Sequence, residues 1–380
     1  MRILISGGGT GGHIYPALAV ARELRDRFGA DILYLGDKNG LETRIVPAAG
    51  FAFAAVSAGK LRRYLSARTI TDLGRVPLGM AQALGHVRRF KPDVAFTSGG
   101  YVSVPAGLAA RTQGVPLVMH QQDVPPNLAN RLLAPFATRI SVSFPGSLRF
   151  FPKVRTTLAG NPVREEVLRM SGLESASVKP QFGLNPTVPV VLVTGGSQGA
   201  RHLNQVVVEA LPQLLPRCQV LHVSGTLTHE ATHEAAERQL SAIPELRGRY
   251  LLYPYLEAEM PAALAASDMV LCRSGAATLA ELAVLGRPSL LVPLPPGFTG
   301  SPQQVNAEMF RAAGAAEMLL DKDMSPERLC ALLFPLLDDR VRREHMAQAA
   351  RTFGHLEAAA TLADTVAALA QRQIERRTRG

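Results

Sequence analysis

ILISGGGTGGHIYP, residues 3–16, runs from an apolar stretch through six residues that are Gly or Thr to His13 and then into helical spacing. It reads as a buried strand, a glycine turn and a helix start. Backbone N–H groups and a helix N-terminus would meet a phosphate or another anion there. Glycine suits the turn because a Cβ would block close approach or forbid positive φ. Gly7, Gly9 and Gly12 fit G-x-G-x-x-G, a pattern that decides little by itself.

The residues that follow alternate β-rich runs with helical stretches. Strands are expected at 2–6, 31–35, 53–56, 93–97, 116–120 and 139–142, and helices at 16–27, 71–90 and 127–134. Such alternation gives a parallel sheet covered on both faces. After Gly160-Asn161-Pro162-Val163-Arg164 and a weakly periodic stretch, 171–188, that reads as a connector, the pattern restarts. VPVVLVTGGSQGARHLNQ (188–205) is again strand, glycine loop and helix, followed by strands at 219–223, 250–253, 269–272 and 289–292. The chain is therefore expected to be α/β, with two similar doubly wound domains facing each other. An Ala-rich helix at 357–377 would cross back onto the first domain.

With 380 residues, 47% of them apolar and 19% charged, the chain is foldable and too long for one ordinary core. Three scattered cysteines, Cys218, Cys272 and Cys330, speak against a disulfide framework and for a reducing compartment. No signal peptide and no apolar run long enough to span a bilayer is expected. Residues 1–160 carry 20 Lys and Arg against 8 Asp and Glu, whereas residues 161–380 carry 21 against 23. A basic first half points to an anionic partner, or to a solvated basic face. Nucleic acid fits poorly, since Trp is absent and aromatics make up 6%. Segment 60–90 sets Arg62, Arg63, Arg68, Arg75, Arg88 and Arg89 among Leu73, Val76, Leu78 and Met80. This suits an anionic membrane surface or an ordinary amphipathic helix whose apolar face is core.

Three further motifs carry chemistry. In GGSQGA (195–200), Ser197 and Gln198 offer side-chain donors beside a helix start, suiting a diphosphate. The alternative is a tight turn without a ligand, which a second glycine loop weakens. CRSGAATLAE (272–281) would bring small residues to another helix start, with Glu281 one turn in. Its carboxylate would take a ribose, or simply favour the positive dipole end. His13 would be a general base or a phosphate donor, or a helix-start histidine satisfied by backbone.

GGTGGH (8–13), GGYVS (99–103), GNPVR (160–164), GGSQGA (195–200) and CRSGA (272–276) resemble, in this order and spacing, one family over essentially the whole chain. It is the UDP-N-acetylglucosamine:N-acetylmuramyl-(pentapeptide) pyrophosphoryl-undecaprenol N-acetylglucosaminyltransferases of bacterial cell-wall synthesis. The resemblance implies a GT-B architecture of two Rossmann-like domains across a cleft. Residues 1–162 would form the acceptor and membrane-side domain, joined by 355–380, and residues 163–354 the UDP-sugar domain. It implies transfer of N-acetylglucosamine to the 4-hydroxyl of the muramyl sugar with inversion, at the cytoplasmic face of the membrane, with no cofactor and no obligatory metal. Thr10, Gly11 and Gly12 would lie at the cleft, with His13 a base or pyrophosphate contact. Arg164 and Ser197 would hold the UDP phosphates, Ala276, Ala277 and Thr278 would present a helix N-terminus to them, and Glu281 would bind ribose. Leu256 would meet uracil through its backbone, and Gln303 would read sugar hydroxyls.

Two places depart from the family. His120-Gln121-Gln122-Asp123 stands where H-E-Q-N is usual, and Ser301-Pro302 where Asp-His usually precedes the glutamine. An ionised Asp123 only accepts hydrogen bonds, where Asn also donates. Both lie in the sugar-reading region and leave room for another UDP-sugar or a different glycolipid acceptor. Other classes are an NAD-dependent oxidoreductase using Gly7, Gly9 and Gly12 with Asp37 on the ribose, and a non-catalytic membrane adaptor.

Overall fold

The computed structural model describes residues 1–58, 67–295 and 303–379, with the side chains of 67–76 excepted. Lys60, Arg62, Arg63, Ser301 and Pro302, and the side chains of Arg68, Leu73, Arg75 and Val76, lie outside the described residues. The chain forms two compact units, Met1–Arg164 with His355–Gly380, and Glu165–Gly354.

The first unit is built on seven parallel strands: β1 (Arg2–Ser6), β2 (Asp31–Asp37), β3 (Ala52–Val56), β4 (Val94–Thr97), β5 (Leu117–Gln121), β6 (Arg139–Val142) and β7 (Thr156–Leu158), in the order β3-β2-β1-β4-β5-β6-β7. The buried, largely apolar runs of the central strands β1, β4 and β5 fit a sheet covered on both faces. Ile3, Ile5, Tyr34 and Phe96 fill one side with helix Gly11–Phe28. The last helix, Ala358–Arg379, packs Leu362, Val366 and Ala370 onto that same cluster. On the other side helix Ala67–Phe90 buries Ala83 and Val87 and packs Met80 and Leu84 against them. Over its described part, then, the amphipathic face of segment 60–90 is core, and Leu78 stays half exposed.

The second unit has six parallel strands: β8 (Val190–Thr194), β9 (Gln219–Val223), β10 (Tyr250–Tyr253), β11 (Met269–Cys272), β12 (Ser289–Leu291) and β13 (Ala316–Met318), ordered β10-β9-β8-β11-β12-β13. The stretch expected as a connector, 171–188, is packed structure. Val178 joins Ala262, Ala265 and Ala266 in a small core. The buried Lys179 reaches Asp268 at 2.8 Å and the carbonyls of Pro186 and Val188. Val190 N–H binds the same Asp268 carboxylate, which pins this stretch to the start of β8.

Candidate functional site

Each sheet reverses strand order at one place, and each glycine loop sits there. In the first unit β1 lies between β2 and β4, with Ser6 opposite Thr97. In the second, β8 lies between β9 and β11, with Thr194 opposite Cys272. Open α/β sheets bind ligands outside the carboxyl ends of strands at such reversals. Three helices start there: Gly11–Phe28, Arg201–Leu214 and Ala276–Leu285. None has a side-chain N-cap bond or an acidic residue in its first turn. By contrast Asn127, Ser325 and Asp339 cap helices elsewhere. The N-terminal amides at the two sheet reversals thus have no side-chain cap and no acidic residue of their own first turn, which suits an anion there.

In the first unit, loops 7–10 and 98–100 lie against each other. A Cβ on Gly100 would overlap the Gly8 carbonyl oxygen, and one on Gly7 would overlap the Ser98 hydroxyl. Gly9, Gly99 and Gly100 all have positive φ. Such packing admits no side chain. Helix Gly11–Phe28 begins earlier than the sequence suggests, so Gly11, Gly12 and His13 form its first turn and Thr10 its N-cap. The His13 ring lies 3.0 Å from where a Gly99 Cβ would be. Its Nδ1 stands 3.1 Å from the Ser98 carbonyl oxygen, and the Ser98 hydroxyl donates to the His13 carbonyl at 2.7 Å. A carbonyl only accepts, so Nδ1 carries the hydrogen, and Nε2 of the neutral ring keeps its lone pair. Burial lowers the His13 pKa below 6.5, opposed by the charge of Asp123, the Ser98 bond and the charge of Glu42.

The His120–Asp123 run is buried throughout. His120 donates from Nε2 to Asn161 Oδ1 at 3.0 Å and accepts at Nδ1 from Ser141. Burial holds its pKa down to about 4. Gln121 donates to the Asp123 carbonyl at 2.7 Å and accepts from Asn130 at 2.7 Å, while Gln122 donates to the Ser98 carbonyl at 3.0 Å. The carbonyl that orients His13 therefore also ties down the loop bearing Asp123. The Arg164 guanidinium lies 5.0 Å from the Tyr15 ring centroid, and that ring lies against Gly11. Arg164 thus joins the first helix start, in the first unit.

In the second unit, loop 195–200 is exposed at Ser197, while Thr226 N–H holds the Ser197 carbonyl at 3.1 Å. Gly199 has φ +91°, and a Cβ there would overlap Thr228 and the Ser224 carbonyl. One strand over, the buried Ser274 donates to the Gln303 carbonyl at 2.9 Å, and Asn306 donates to the Ser274 carbonyl at 3.1 Å. These bonds bring Gln303 to the start of helix Ala276–Leu285, its Nε2 3.6 Å from where a Gly275 Cβ would be. Ala276 is buried there, Ala277, Thr278 and Glu281 are half-buried, and the buried Leu256 follows β10.

Sequence reading missed Ser98, Gln122, Tyr101 and Glu42. The first three stand inside or beside quoted motifs, but nothing in their spacing shows which atoms meet His13. Asp37 is buried, and its carboxylate accepts from Tyr101 Oη at 2.6 Å, so it serves the loop rather than a nicotinamide ribose.

Residues 3–142 match the glycosyltransferase family 28 N-terminal domain and residues 190–365 its C-terminal domain. The UDP-N-acetylglucosamine--N-acetylmuramyl-(pentapeptide) pyrophosphoryl-undecaprenol N-acetylglucosamine transferase of Desulforamulus reducens is 39% identical over 98% of this chain and 100% of its own. The enzyme of that name from Halothermothrix orenii is 38% identical over 96% and 98%. The crystal structure of Acinetobacter baumannii MurG superposes with a TM-score of 0.73 at 26% identity, covering 96% of this chain and 98% of the other. The fold is GT-B, with a Rossmann-like sheet in each unit.

Proposed function

The chain belongs to the family of UDP-N-acetylglucosamine--N-acetylmuramyl-(pentapeptide) pyrophosphoryl-undecaprenol N-acetylglucosamine transferases, and from that premise we propose which of its residues carry the reaction. The chain transfers N-acetylglucosamine from its UDP ester to the muramyl sugar of the lipid-linked pentapeptide. Neutral His13 takes the proton of the acceptor hydroxyl at Nε2 as that oxygen attacks the anomeric carbon. The bond from that carbon to the diphosphate oxygen breaks, its electron pair leaves with UDP, and configuration inverts. General-base help of this kind is worth roughly 10²–10⁴ in rate.

Charge grows on the departing diphosphate. In the second unit, Ser197 and the start of helix Ala276–Leu285, at Ala276, Ala277 and Thr278, stabilise it, Glu281 takes the ribose, the Leu256 backbone the uracil, and Gln303 the sugar hydroxyls. Uncapped helix starts support this reading. In the first unit, Thr10, Gly11 and Gly12 receive the acceptor's pyrophosphate. Arg164, assigned to the UDP phosphates by resemblance, stands beside Gly11 over Tyr15 and meets a diphosphate at that helix start. Asp123 faces the transferred or accepting sugar.

The observation that carries the assignment is the His13–Ser98 bond, which leaves Nε2 as the basic atom. Purified protein with UDP-N-acetylglucosamine and a polyprenyl-pyrophosphoryl muramyl-pentapeptide tests it by UDP release and product mass. Transfer from UDP-glucose but none from the N-acetyl sugar would overturn it in favour of a related glycosyltransferase.

The partner surface is an anionic membrane, with the protein peripheral on its cytoplasmic face. Among the described residues no helix is long and apolar enough to cross a membrane. Residues 124–164 carry six Arg and Lys and no Asp or Glu. Within that stretch Leu132, Phe136, Phe150 and Val154 are exposed, Val154 by 93%. Exposed apolar side chains among cations suit anionic lipid.

A further inference from the structure

Glu42 lies beside the first glycine loop and has no part in the reaction above. Its side chain is fully buried. One carboxylate oxygen accepts the Asp37 N–H at 2.9 Å, and the other faces the Gly9 N–H at 3.5 Å. A Cβ on Gly8, Gly36 or Gly40 would overlap this one side chain, so three glycines make room for it. Among the described residues no Lys, Arg or His forms an ion pair with it. A buried carboxylate without a cation is costly, and a neutral isostere would fill the same space.

The carboxylate fixes the peptide between Gly8 and Gly9. That plane turns its N–H to Glu42 and its carbonyl to Gly100, whose missing Cβ leaves room for the oxygen. From the other side, the Tyr101 ring occupies the space a Gly9 Cβ would need, and its hydroxyl is held by Asp37, the residue whose N–H Glu42 accepts. We propose that Glu42 is a positioning residue for transfer: by clamping the Gly8–Gly9 peptide, with Asp37 and Tyr101, it sets the helix start that presents Thr10 to the acceptor and His13 to its hydroxyl. The inference rests on the reading of His13 as base. A second effect follows from charge. The carboxylates of Asp123 and Glu42 and the Ser98 carbonyl all favour the protonated His13 ring against burial, and His120 feels the His13 charge from β5.

The test compares E42Q and E42D with the wild-type chain on UDP-N-acetylglucosamine and the lipid-linked acceptor, with melting followed in parallel. E42Q keeps the volume but offers the Gly9 N–H no second acceptor. It is expected to melt no lower than wild type, to lose about tenfold or more in kcat at unchanged donor KM, and to move the acid limb of kcat/KM to lower pH. E42D keeps the charge but draws it back, so kcat falls while the acid limb stays. A folded E42Q with wild-type kcat and acid limb overturns the inference. If E42Q does not fold, E42D decides, and wild-type kcat there overturns it equally. A wild-type chain that makes no product overturns the proposed function as well, whereas an active wild type with an indifferent E42Q sinks the Glu42 role alone.

Discussion

The Nδ1 of His13 stands 3.1 Å from the carbonyl oxygen of Ser98, and the Ser98 hydroxyl returns a bond to the His13 carbonyl. The pair locks strand β4's end to the first turn of the helix and fixes one tautomer. If Nε2 is the base, His13→Gln removes it while a side-chain amide still reaches Ser98. Turnover should fall about 10²–10⁴-fold, with calorimetric affinity for UDP-N-acetylglucosamine unchanged. Near wild-type kcat in this variant would end the candidacy of His13.

The charge of Asp123 opposes the burial of His13 more strongly than that of Glu42 does. Asp123→Asn, which swaps the carboxylate for an amide of the same shape, removes that support. The His13 pKa should then drop further, so the acid limb of kcat/KM moves to lower pH while the alkaline side stays put. The same variant scored on UDP-N-acetylglucosamine against UDP-glucose reads whether position 123 touches the sugar. An unmoved acid limb would separate Asp123 from His13 electrostatically.

Much of this architecture was legible because its signals are local. Glycine loops after apolar strands, at 7–12 and 195–200, mark both strand reversals, and period alone separated strands from helices. What sequence could not show is long-range. β7 and β13 are three-residue strands at the outer edges of their sheets, defined by their pairing with β6 and β12 and not by an apolar run of their own. No motif or spacing marks Glu42, and only the fold buries it beside three glycines. The 171–188 stretch has weak periodicity, yet Lys179 and Val178 are buried because Asp268 and the 260–266 helix lie over them.

Two glycines of one loop should part company. Gly196 and Gly199 have φ +93° and +91°. A Cβ on Gly196 meets nothing within 4 Å, whereas one on Gly199 overlaps Thr228 and the Ser224 carbonyl. Gly196→Ala should cost about 1 kcal/mol of backbone strain. Gly199→Ala adds overpacking of about 1–3 kcal/mol and should weaken UDP binding by displacing Ser197. Urea unfolding and UDP titration read both. Equal losses would refute the packing argument.

The acid-free stretch 124–164 should govern lipid binding. Phe136→Ser with Val154→Ser removes exposed apolar surface, and Arg149→Glu with Lys153→Glu reverses charge where no ion pair is broken among the described residues. Each pair should weaken co-sedimentation with anionic vesicles severalfold, and the charge pair should also abolish its salt sensitivity. Transfer to a short-chain, detergent-free acceptor should be spared. Undiminished vesicle binding in both pairs would move the surface elsewhere.

Acid should unfold the chain through its buried histidines. Burial holds His120 at about 4 and His222 at about 3, and both are satisfied as neutral rings. His222 donates from Nε2 to Asn204 Oδ1 at 3.1 Å and accepts from Tyr250 at 2.9 Å. A folded pKa below the unfolded 6.5 means that the unfolded chain binds more protons, so stability falls as pH drops from about 6.5 toward the folded values. Each ring then withholds stability of the order of 3–5 kcal/mol once pH reaches its folded pKa. Asp321, lowered by Arg273 and His202 against burial, loses its contribution only below the ordinary carboxylate range, outside this window. The chain has no Trp, so urea melts between pH 7.5 and 4.5 are followed by far-ultraviolet circular dichroism. Below pH 6 the slope should approach about 1.4 kcal/mol per pH unit for each ring. His222→Gln should remove one such increment from the second unit's transition and leave the first unit's slope intact. A wild-type slope in that variant would show that His222 does not set the acid lability.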